Sequence, residues 1–220
     1  SSECSLPELN GNVVYFSDSK GLERKIGIAD VLIVRNQKID SAIIDRAPNL
    51  RMIIRQGIGV DNIDQAYAAH KGVGVFNTPL SAPSVAELAI ALMIMSSRNM
   101  VDRNSEMHNG EWKKRHEVLG NELFGKTLGI VGLGRIGTHV ARIAHVMGMK
   151  IVYYDPYVEE MLFGKKFILG ELLSVSDIIS FHVPLTAETT GMLNVHNISL
   201  VKKGAILVNT SRGQVITLDA

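Results

Sequence analysis

The stretch that decides the fold is Thr127-Leu128-Gly129-Ile130-Val131-Gly132-Leu133-Gly134-Arg135-Ile136-Gly137, residues 127–137. It starts as an apolar run and ends in three glycines with the spacing GxGxxG. Apolar residues then recur at helical spacing from position 136 to 147, and Gly148 marks the expected end of that helix. A second apolar run, residues 151–154, leads directly to Asp155. This order of strand, glycine turn, helix and strand predicts a βαβ unit with parallel strands.

The same rhythm extends over most of the chain. Apolar runs that alternate with helical patterns lie at residues 31–34, 52–54, 73–76, 128–131, 151–154, 178–181 and 205–208. Most of these runs are continuously apolar, as expected for parallel strands that helices cover on both faces. We therefore predict an α/β protein with two Rossmann-like, doubly wound parallel-sheet domains, both of them incomplete in this chain.

The alternation breaks at residues 77–83, Asn77-Thr78-Pro79-Leu80-Ser81-Ala82-Pro83. A long apolar helix pattern follows over residues 85–95. We place the domain boundary at this break. Residues 1–79 then form a smaller domain that lacks the GxGxxG fingerprint, and residues 80–220 form a nucleotide-binding domain.

Composition favours small-molecule chemistry. The 220 residues contain 23 Lys and Arg against 22 Asp and Glu, so no strong global field attracts nucleic acid or an anionic membrane. The basic cluster at residues 113–116, beside Trp112, is better interpreted as a solvated face. No apolar run is long enough to span a bilayer, and the single cysteine, Cys4, excludes an internal disulfide. A reducing, cytoplasmic setting fits best.

Each glycine of the fingerprint has a distinct physical task. Gly132 permits a tight turn, Gly134 lets the backbone approach a pyrophosphate, and Gly137 allows the helix to pack closely on the strand. Asp155, 18 residues beyond Gly137, can accept hydrogen bonds from ribose hydroxyls and would repel a 2′-phosphate. NAD is therefore the expected cofactor, although the glycine pattern by itself also fits an adenosylmethionine or a flavin site.

Five segments together resemble the D-isomer-specific 2-hydroxyacid dehydrogenase family. They are Arg55-Gln56-Gly57-Ile58-Gly59-Val60-Asp61-Asn62-Ile63-Asp64, Asn77-Thr78-Pro79, residues 125–137, His182-Val183-Pro184-Leu185-Thr186 and Asn209-Thr210-Ser211-Arg212-Gly213. The resemblance covers the chain from about residue 30 onward. It implies that residues 1–79 bind the substrate and that residues 80–220 bind NAD.

The resemblance also assigns the substrate contacts. It implies that Gly57-Ile58-Gly59 holds the substrate carboxylate, which agrees with the ability of closely spaced glycines to turn backbone N–H groups toward an anion. Arg55 is a second candidate anchor, as in phosphoglycerate-type members, and a salt bridge to Asp61 or Asp64 is its alternative role.

The resemblance gives Arg212 substrate recognition and catalysis. Its position after the predicted strand at residues 205–208 agrees, because ligands bind at the carboxyl ends of such strands. A guanidinium there can hold the carboxylate and the carbonyl of a 2-oxo acid in one planar fork. The remaining implied cofactor contacts are Thr78, Arg135, Ile136, Pro156, His182, Val183, Pro184, Thr210, Ser211 and Arg212 itself.

Two other patterns carry little weight. Tyr67 and Lys71 match the YxxxK spacing of short-chain reductases, but they precede the glycine loop, whereas in those enzymes they follow it. The histidines other than His182 show no metal-ligand spacing, so we expect no metal site.

The family's proton donor is a histidine paired with a carboxylate, and both lie C-terminal to the arginine motif. We expect this pair beyond residue 220, so that the chain is truncated and inactive by itself. The stretch from Asp155 to His182 is also a few residues shorter than the family pattern.

For the parent protein the resemblance implies an NAD-dependent oxidoreductase that acts on a D-2-hydroxy acid and its 2-oxo acid. Phosphoglycerate is the leading substrate, because Arg55 and its loop resemble the phosphoglycerate dehydrogenases. Hydroxypyruvate or glyoxylate reduction and an NAD-sensing corepressor role are the alternatives. A homodimer is also implied, and the apolar helix over residues 85–95 suits either a dimer contact or burial within one subunit.

Overall fold

The protein is described here by a computed structural model that covers residues 14, 16, 18–111 and 119–218. The chain divides into two compact units, Ser1–Leu80 and Ser81–Ala220. The division follows Leu80, whereas the sequence pattern placed the boundary after Pro79. Cys4 and the basic cluster at 113–116 lie outside the described residues.

The first unit contains a three-stranded parallel sheet in the order β1-β2-β3. Its strands are β1 (Val31–Val34), β2 (Met52–Arg55) and β3 (Gly74–Asn77), and its helices are α1 (Ser19–Lys25), α2 (Ser41–Asp45) and α3 (Gln65–His70).

An aspartate caps each of these three short helices. The Oδ1 atoms of Asp18, Asp40 and Asp64 accept the backbone N–H of the residue three positions later, at 2.6, 3.2 and 3.0 Å. Such caps satisfy one of the free N–H groups at a helix start and stabilise it by about 1 kcal/mol. Helices of five to seven residues depend on caps of this kind and on packing against the sheet.

Only one face of this sheet is covered by the described residues. The helices contribute Leu22, Ile44 and Ala68 to one cluster with the inward residues of the strands. The strands follow one another in sequence order, so right-handed crossovers carry α2 and α3 to the same side, and α1 joins them through Leu22. The other face is therefore left with exposed apolar side chains, such as Ile33 and Phe76, contrary to the expectation of two covered faces.

The second unit contains a five-stranded parallel sheet in the order β6-β5-β4-β7-β9 and a separate parallel pair, β8 with β10. The strands are β4 (Thr127–Val131), β5 (Lys150–Tyr154), β6 (Gly164–Lys166), β7 (Ile178–Phe181), β8 (Leu193–Asn194), β9 (Ile206–Asn209) and β10 (Ile216–Thr217). The helices are α4 (Ala82–Ser97), α5 (Met100–His108), α6 (Arg135–Val146) and α7 (Leu169–Val175).

Helices cover both faces of this larger sheet. One face carries α4 and α6, which contribute Met93 and Val140 to a core with Ile130 of β4. The opposite face carries α7, which contributes Leu172 to a core with Val131. This is the doubly wound arrangement that the sequence predicted, and the strand order reverses on either side of β4.

All seven apolar runs form strands, with bounds that agree with the prediction to within one residue. Gly148, with φ of +83°, follows the end of α6 as expected. The crossover from β5 to β6 contains no helix. Val158, Met161 and Phe163 of that crossover pack against the core instead.

Helices α4 and α5 follow one another along the chain with a short break at Arg98 and Asn99. Within the described ranges, no single helix has the length and apolar character needed to cross a bilayer. The two helices meet such criteria only when taken together, as a pair bent by 68°.

Candidate functional site

The site in the second unit is set by strand register. Val131 of β4 pairs with Tyr154 of β5 and with Phe181 of β7, and Phe181 pairs with Asn209 of β9. The four residues that follow these positions therefore form one row at the carboxyl edge of the sheet. They are Gly132, Asp155, His182 and Thr210. The row crosses the point where the strand order reverses, which is where such sheets bind ligands.

The three fingerprint glycines are required for different reasons. Gly132 has φ of +92°, and a Cβ there would lie 2.8 Å from the carbonyl oxygen of His182 and from Val183 Cγ1. A Cβ on Gly137 would overlap the carbonyl oxygen of Gly132. A Cβ on Gly134 would meet nothing within 4 Å. Protein packing thus explains Gly132 and Gly137, whereas the open space at Gly134 fits a ligand that must approach the backbone.

The start of α6 fits the pyrophosphate of a dinucleotide. Gly134 is the N-cap residue, and no side chain caps the N–H groups of the first turn. Those groups and the helix dipole favour an anion at this end. Arg135 is exposed and Ile136 half-buried in this first turn.

The Asp155 carboxylate accepts hydrogen bonds from the protein backbone that the sequence did not indicate. Asp155 is 8% exposed, and its Oδ2 accepts the backbone N–H of Leu133 at 2.7 Å. Its Oδ1 accepts the N–H groups of Tyr157 and Val158 at 2.8 and 3.1 Å. A carboxylate has roughly four acceptor sites. Three are used, so one remains for a ribose hydroxyl, and the same group also holds the middle of the glycine loop.

His182 joins two strand ends. One ring nitrogen, Nε2, lies 2.8 Å from Ser180 Oγ, and Nδ1 lies 3.5 Å from Thr210 Oγ1. Burial lowers the pKa of His182 from its ordinary 6.5 to about 4, so the ring is neutral at physiological pH. The sequence placed His182 in a cofactor turn and missed Ser180, whose alternation with His182 along the strand was the available signal.

The Arg212 turn is held by Asn209. Asn209 Oδ1 accepts the N–H of Ser211 at 3.0 Å and its hydroxyl at 2.7 Å. Asn209 Nδ2 donates to the carbonyl oxygen of Arg212 at 2.8 Å. Arg212 Nη1 in turn donates to the carbonyl of Ser211 at 3.0 Å. Sequence reasoning did not assign Asn209 a role, although Asn at a strand end is a known turn signal.

The other predicted cofactor residues of this unit lie at the same edge. Pro156 is exposed directly after Asp155, and Val183 is half-buried against Gly132. Pro184 is exposed, and its carbonyl oxygen accepts the hydroxyl of Thr189 at 2.6 Å.

In the first unit, the glycine loop after β2 is tied to the end of β3. Gly57 has φ of +134°, and its N–H donates to Thr78 Oγ1 at 3.0 Å. Thr78 N–H reaches the carbonyls of Arg55 and Gly57 at 3.1 and 3.2 Å. The sequence predicted that Gly57 directs its N–H toward the substrate carboxylate. In the structure Thr78 Oγ1 already accepts this N–H, so Gly57 does not offer it to a substrate. Among the described residues, the N–H groups of Ile58 and Gly59 have no acceptor.

Arg55 lies across this same loop. A Cβ on Gly57 would overlap the Arg55 guanidinium, so the missing side chain makes room for it. Asp64, one of its expected partners, accepts the N–H of Tyr67 as the α3 cap instead. The structure thus brings Thr78, predicted as a cofactor contact, together with Arg55 and Gly57, predicted as substrate contacts.

The YxxxK pattern is not a reductase site. The Tyr67 hydroxyl donates to the Asp45 carboxylate, at 2.8 and 2.9 Å from its two oxygens, and Lys71 Nζ lies 2.7 Å from Oδ1 of the same carboxylate. The hydrogen bond to Asp45 raises the pKa of Tyr67, whereas a proton-donating tyrosine needs the opposite shift. Within the part of the chain that the structure describes, no group of three metal-ligating side chains was found.

Comparison with known proteins agrees with this geometry. Residues 90–220 match the family model described as D-isomer specific 2-hydroxyacid dehydrogenase, NAD binding domain. The chain belongs to this family. Its second unit therefore contains an NAD-binding domain, over residues 90–220.

Individual members of the D-2-hydroxyacid dehydrogenase family are similar over most of this chain. A hydroxypyruvate reductase from Thermotoga maritima is 45% identical over 87% of this chain and 63% of its own length. A D-3-phosphoglycerate dehydrogenase from Methanocaldococcus jannaschii is 43% identical over 89% and 38%. The crystal structure of D-lactate dehydrogenase from Aquifex aeolicus with NAD and lactic acid superimposes with a TM-score of 0.82 at 34% identity, over 88% and 60%. The chain thus spans less than two thirds of each.

Proposed function

We propose that the full-length protein is an NAD-dependent dehydrogenase that interconverts 3-phosphoglycerate and 3-phosphohydroxypyruvate. The observation that carries the reaction class is the place of Arg212. It lies two residues beyond Thr210, in the turn that continues the row of cofactor residues at the sheet edge. A planar cation beside a dinucleotide site suits a substrate with adjacent carboxylate and carbonyl groups.

The residues of the chain divide the work between them. The glycine loop and α6 hold the pyrophosphate, and Asp155 accepts a ribose hydroxyl. Arg212 binds the substrate carboxylate and polarises the carbonyl, which stabilises the developing alkoxide. The bound cofactor supplies or accepts the hydride. His182 is a poor proton donor, because its low pKa keeps it neutral and two hydroxyls lie at its ring nitrogens.

The phosphorylated substrate is proposed because of Arg55. Its guanidinium lies on the loop whose N–H groups at Ile58 and Gly59 have no acceptor among the described residues. This loop therefore offers both backbone donors and a cation, which suits a substrate with two anionic groups. Hydroxypyruvate reduction is the second candidate, favoured by the similarity to a hydroxypyruvate reductase.

A substrate panel separates the two candidates. NADH oxidation is measured with phosphohydroxypyruvate, hydroxypyruvate, glyoxylate and pyruvate, and the values of kcat/KM are compared. The proposal predicts the highest kcat/KM for phosphohydroxypyruvate. It also predicts that Arg55→Gln lowers that value about tenfold or more while leaving pyruvate reduction within a few-fold. A higher kcat/KM for hydroxypyruvate, together with an equal effect of Arg55→Gln on both substrates, would favour the second candidate.

Arg212→Lys tests the arginine itself. Lysine keeps the charge but cannot form the planar fork. Loss of such a preorganised contact typically costs about 3 kcal/mol of transition-state stabilisation, so kcat/KM should fall by roughly 10² to 10³. NADH affinity is the control and should change little. Unchanged turnover would remove Arg212 from the mechanism.

We also propose that the protein forms a homodimer through α4 and α5. The buried stripe of α4 includes Ala86, Ala89 and Met93, whereas Leu88 on its other side is 54% exposed. Met95, Met100, Val101 and Met107 extend this exposed apolar surface onto α5. Such a patch on a soluble domain suits a protein contact, and a second copy is the partner that the family resemblance implies.

Sedimentation velocity tests the dimer. Leu88→Glu should shift the wild-type dimer toward monomer at micromolar concentration. The matched control is Leu162→Glu, because Leu162 is 99% exposed on the β5–β6 crossover. A monomeric wild-type protein, or a dimer that survives Leu88→Glu, would refute this interface.

A further inference from the structure

We propose that Asn209 is a positioning residue that fixes the orientation of Arg212. The proposal rests on the function proposed above, because it assigns Arg212 the substrate. It concerns a different side chain, one that acts on the substrate only through the backbone of the arginine turn.

The first support is the bonding of the Asn209 carboxamide. Its oxygen accepts two donors of Ser211, the N–H at 3.0 Å and the hydroxyl at 2.7 Å. Its nitrogen donates to the carbonyl oxygen of Arg212 at 2.8 Å. The two ends of one side chain thus bind the main chain on both sides of the peptide that joins Ser211 to Arg212.

The second support is the anchor of Asn209 itself. It is the last residue of β9, and its register partner is Phe181 of β7, a fully buried residue. The carboxamide therefore extends from a fixed point of the sheet. Arg212 has extended backbone angles, φ −134° and ψ 138°, and directly precedes the 3₁₀ turn Gly213–Val215, where its carbonyl oxygen also accepts the N–H of Val215 at 3.1 Å.

The third support is that the guanidinium depends on the same peptide. Arg212 Nη1 donates to the carbonyl of Ser211 at 3.0 Å. Rotation of this peptide would move both the Cα of Arg212 and an acceptor of its side chain. A shift of about 1 Å in a substrate-binding group can cost roughly 10²-fold in rate.

The chemistry of the interaction requires asparagine. The carboxamide presents an acceptor and a donor at the reach of one short side chain. Aspartate would keep the acceptor for Ser211 but would face the carbonyl oxygen of Arg212 with a second acceptor. Its negative charge would also compete with the substrate carboxylate for the Arg212 guanidinium. Alanine would remove all three hydrogen bonds.

The test uses Asn209→Asp and Asn209→Ala in the full-length protein. Asn197→Asp is the matched control, because the Asn197 carboxamide has the same pattern. Its Oδ1 accepts the N–H of Asn194 at 2.8 Å, and its Nδ2 donates to the carbonyl of Met192 at 2.8 Å. NADH titration gives the fraction of competent cofactor sites, and steady-state rates are normalised to that fraction.

The Asn209 substitutions are expected to impair use of the substrate without changing the affinity for the cofactor. Both Asn209 variants should keep the NADH dissociation constant within about twofold and lower kcat/KM for the 2-oxo acid by at least tenfold. The control should stay near wild type. In the Arg212→Lys background, Asn209→Asp should have little further effect, because residues that act as a unit are not additive.

Several outcomes would overturn the proposal. One is a kcat/KM of the Asn209 variants that equals that of the Asn197→Asp control. Another is a double variant, Asn209→Asp with Arg212→Lys, whose loss in kcat/KM equals the product of the two single losses. A wild-type protein that turns over no 2-oxo acid would refute the proposed function instead. The positioning role is then judged by oxamate binding to the NADH complex. That binding should weaken about tenfold in Asn209→Asp and not in Asn197→Asp, and equal binding in both would refute it.

Discussion

Replacing Asp155 by asparagine should loosen the glycine loop and weaken NADH binding. The carboxylate accepts three backbone N–H groups, from Leu133, Tyr157 and Val158, at 2.7 to 3.1 Å. Asparagine retains one oxygen. Its amide nitrogen must then face at least one N–H group, and the smallest loss occurs when that group belongs to Leu133.

The magnitude follows from burial. Leu133 is 6% exposed, so water does not readily replace the lost acceptor. A buried donor without a partner costs about 1–3 kcal/mol, and the two remaining bonds lose the benefit of a charged acceptor. We expect a penalty of about 2–4 kcal/mol. If 2 kcal/mol of it is needed to reorder the loop on binding, the NADH dissociation constant rises about 30-fold.

Two measurements check this prediction. A fluorescence titration gives the NADH affinity, and amide hydrogen exchange at Leu133 reports the loop directly. Asp177→Asn is the matched control. Asp177 Oδ2 accepts the N–H of Thr127 at 2.8 Å at the amino end of the same sheet, so its loss should lower stability without changing NADH affinity. Unchanged exchange at Leu133 and an NADH affinity within twofold of wild type would refute the reasoning.

Three further predictions follow from contacts in the two units. Gly137→Ala should destabilise the fold by about 1–3 kcal/mol through overlap with Gly132, whereas Gly134→Ala should leave thermal unfolding unchanged and weaken NADH binding; the reverse pattern would contradict the assignment of the glycines. The folded-state pKa of His182, about 4, lies below its ordinary 6.5, so the stability it contributes is complete above pH 6.5 and is lost as pH falls toward 4, by about 3 kcal/mol in total. Urea unfolding gives the free energy of unfolding at each pH in that range. This free energy should fall with decreasing pH less steeply in His182→Gln than in the wild type, and an equal pH dependence in both proteins would contradict the prediction. Tyr67→Phe should leave kcat unchanged, because its hydroxyl serves only an exposed contact with a carboxylate; a large loss of turnover would reopen the reductase interpretation.

Much of the fold was predictable because its signals are local. The strands β4 and β7 are buried on both sides, and their continuous apolar runs predict strands without reference to the rest of the chain. The glycine spacing locates the turn before α6, since Gly132 needs a positive φ. The acid after β5 was also visible. These features depend on a few consecutive residues and on the geometry of one βαβ unit.

The unpredicted features depend on contacts between residues that are distant in sequence or on the order of the strands in the sheet. Thr78 reaches Gly57 only because β2 and β3 pair in parallel, which places their ends side by side. The attachment of Asp155 to Leu133 joins two strand ends in the same way. The uncovered face with Ile33 follows from the order of the strands, which composition does not reveal.

The most direct test of the account is the reaction of the full-length protein with NADH and 2-oxo acids, followed by chiral analysis of the product. The account predicts NADH oxidation with at least one of them and formation of the D-2-hydroxy acid in equal amount. NADH binding without oxidation by any 2-oxo acid would contradict it and favour a cofactor-sensing role, and formation of the L-isomer would contradict the family assignment of the reaction.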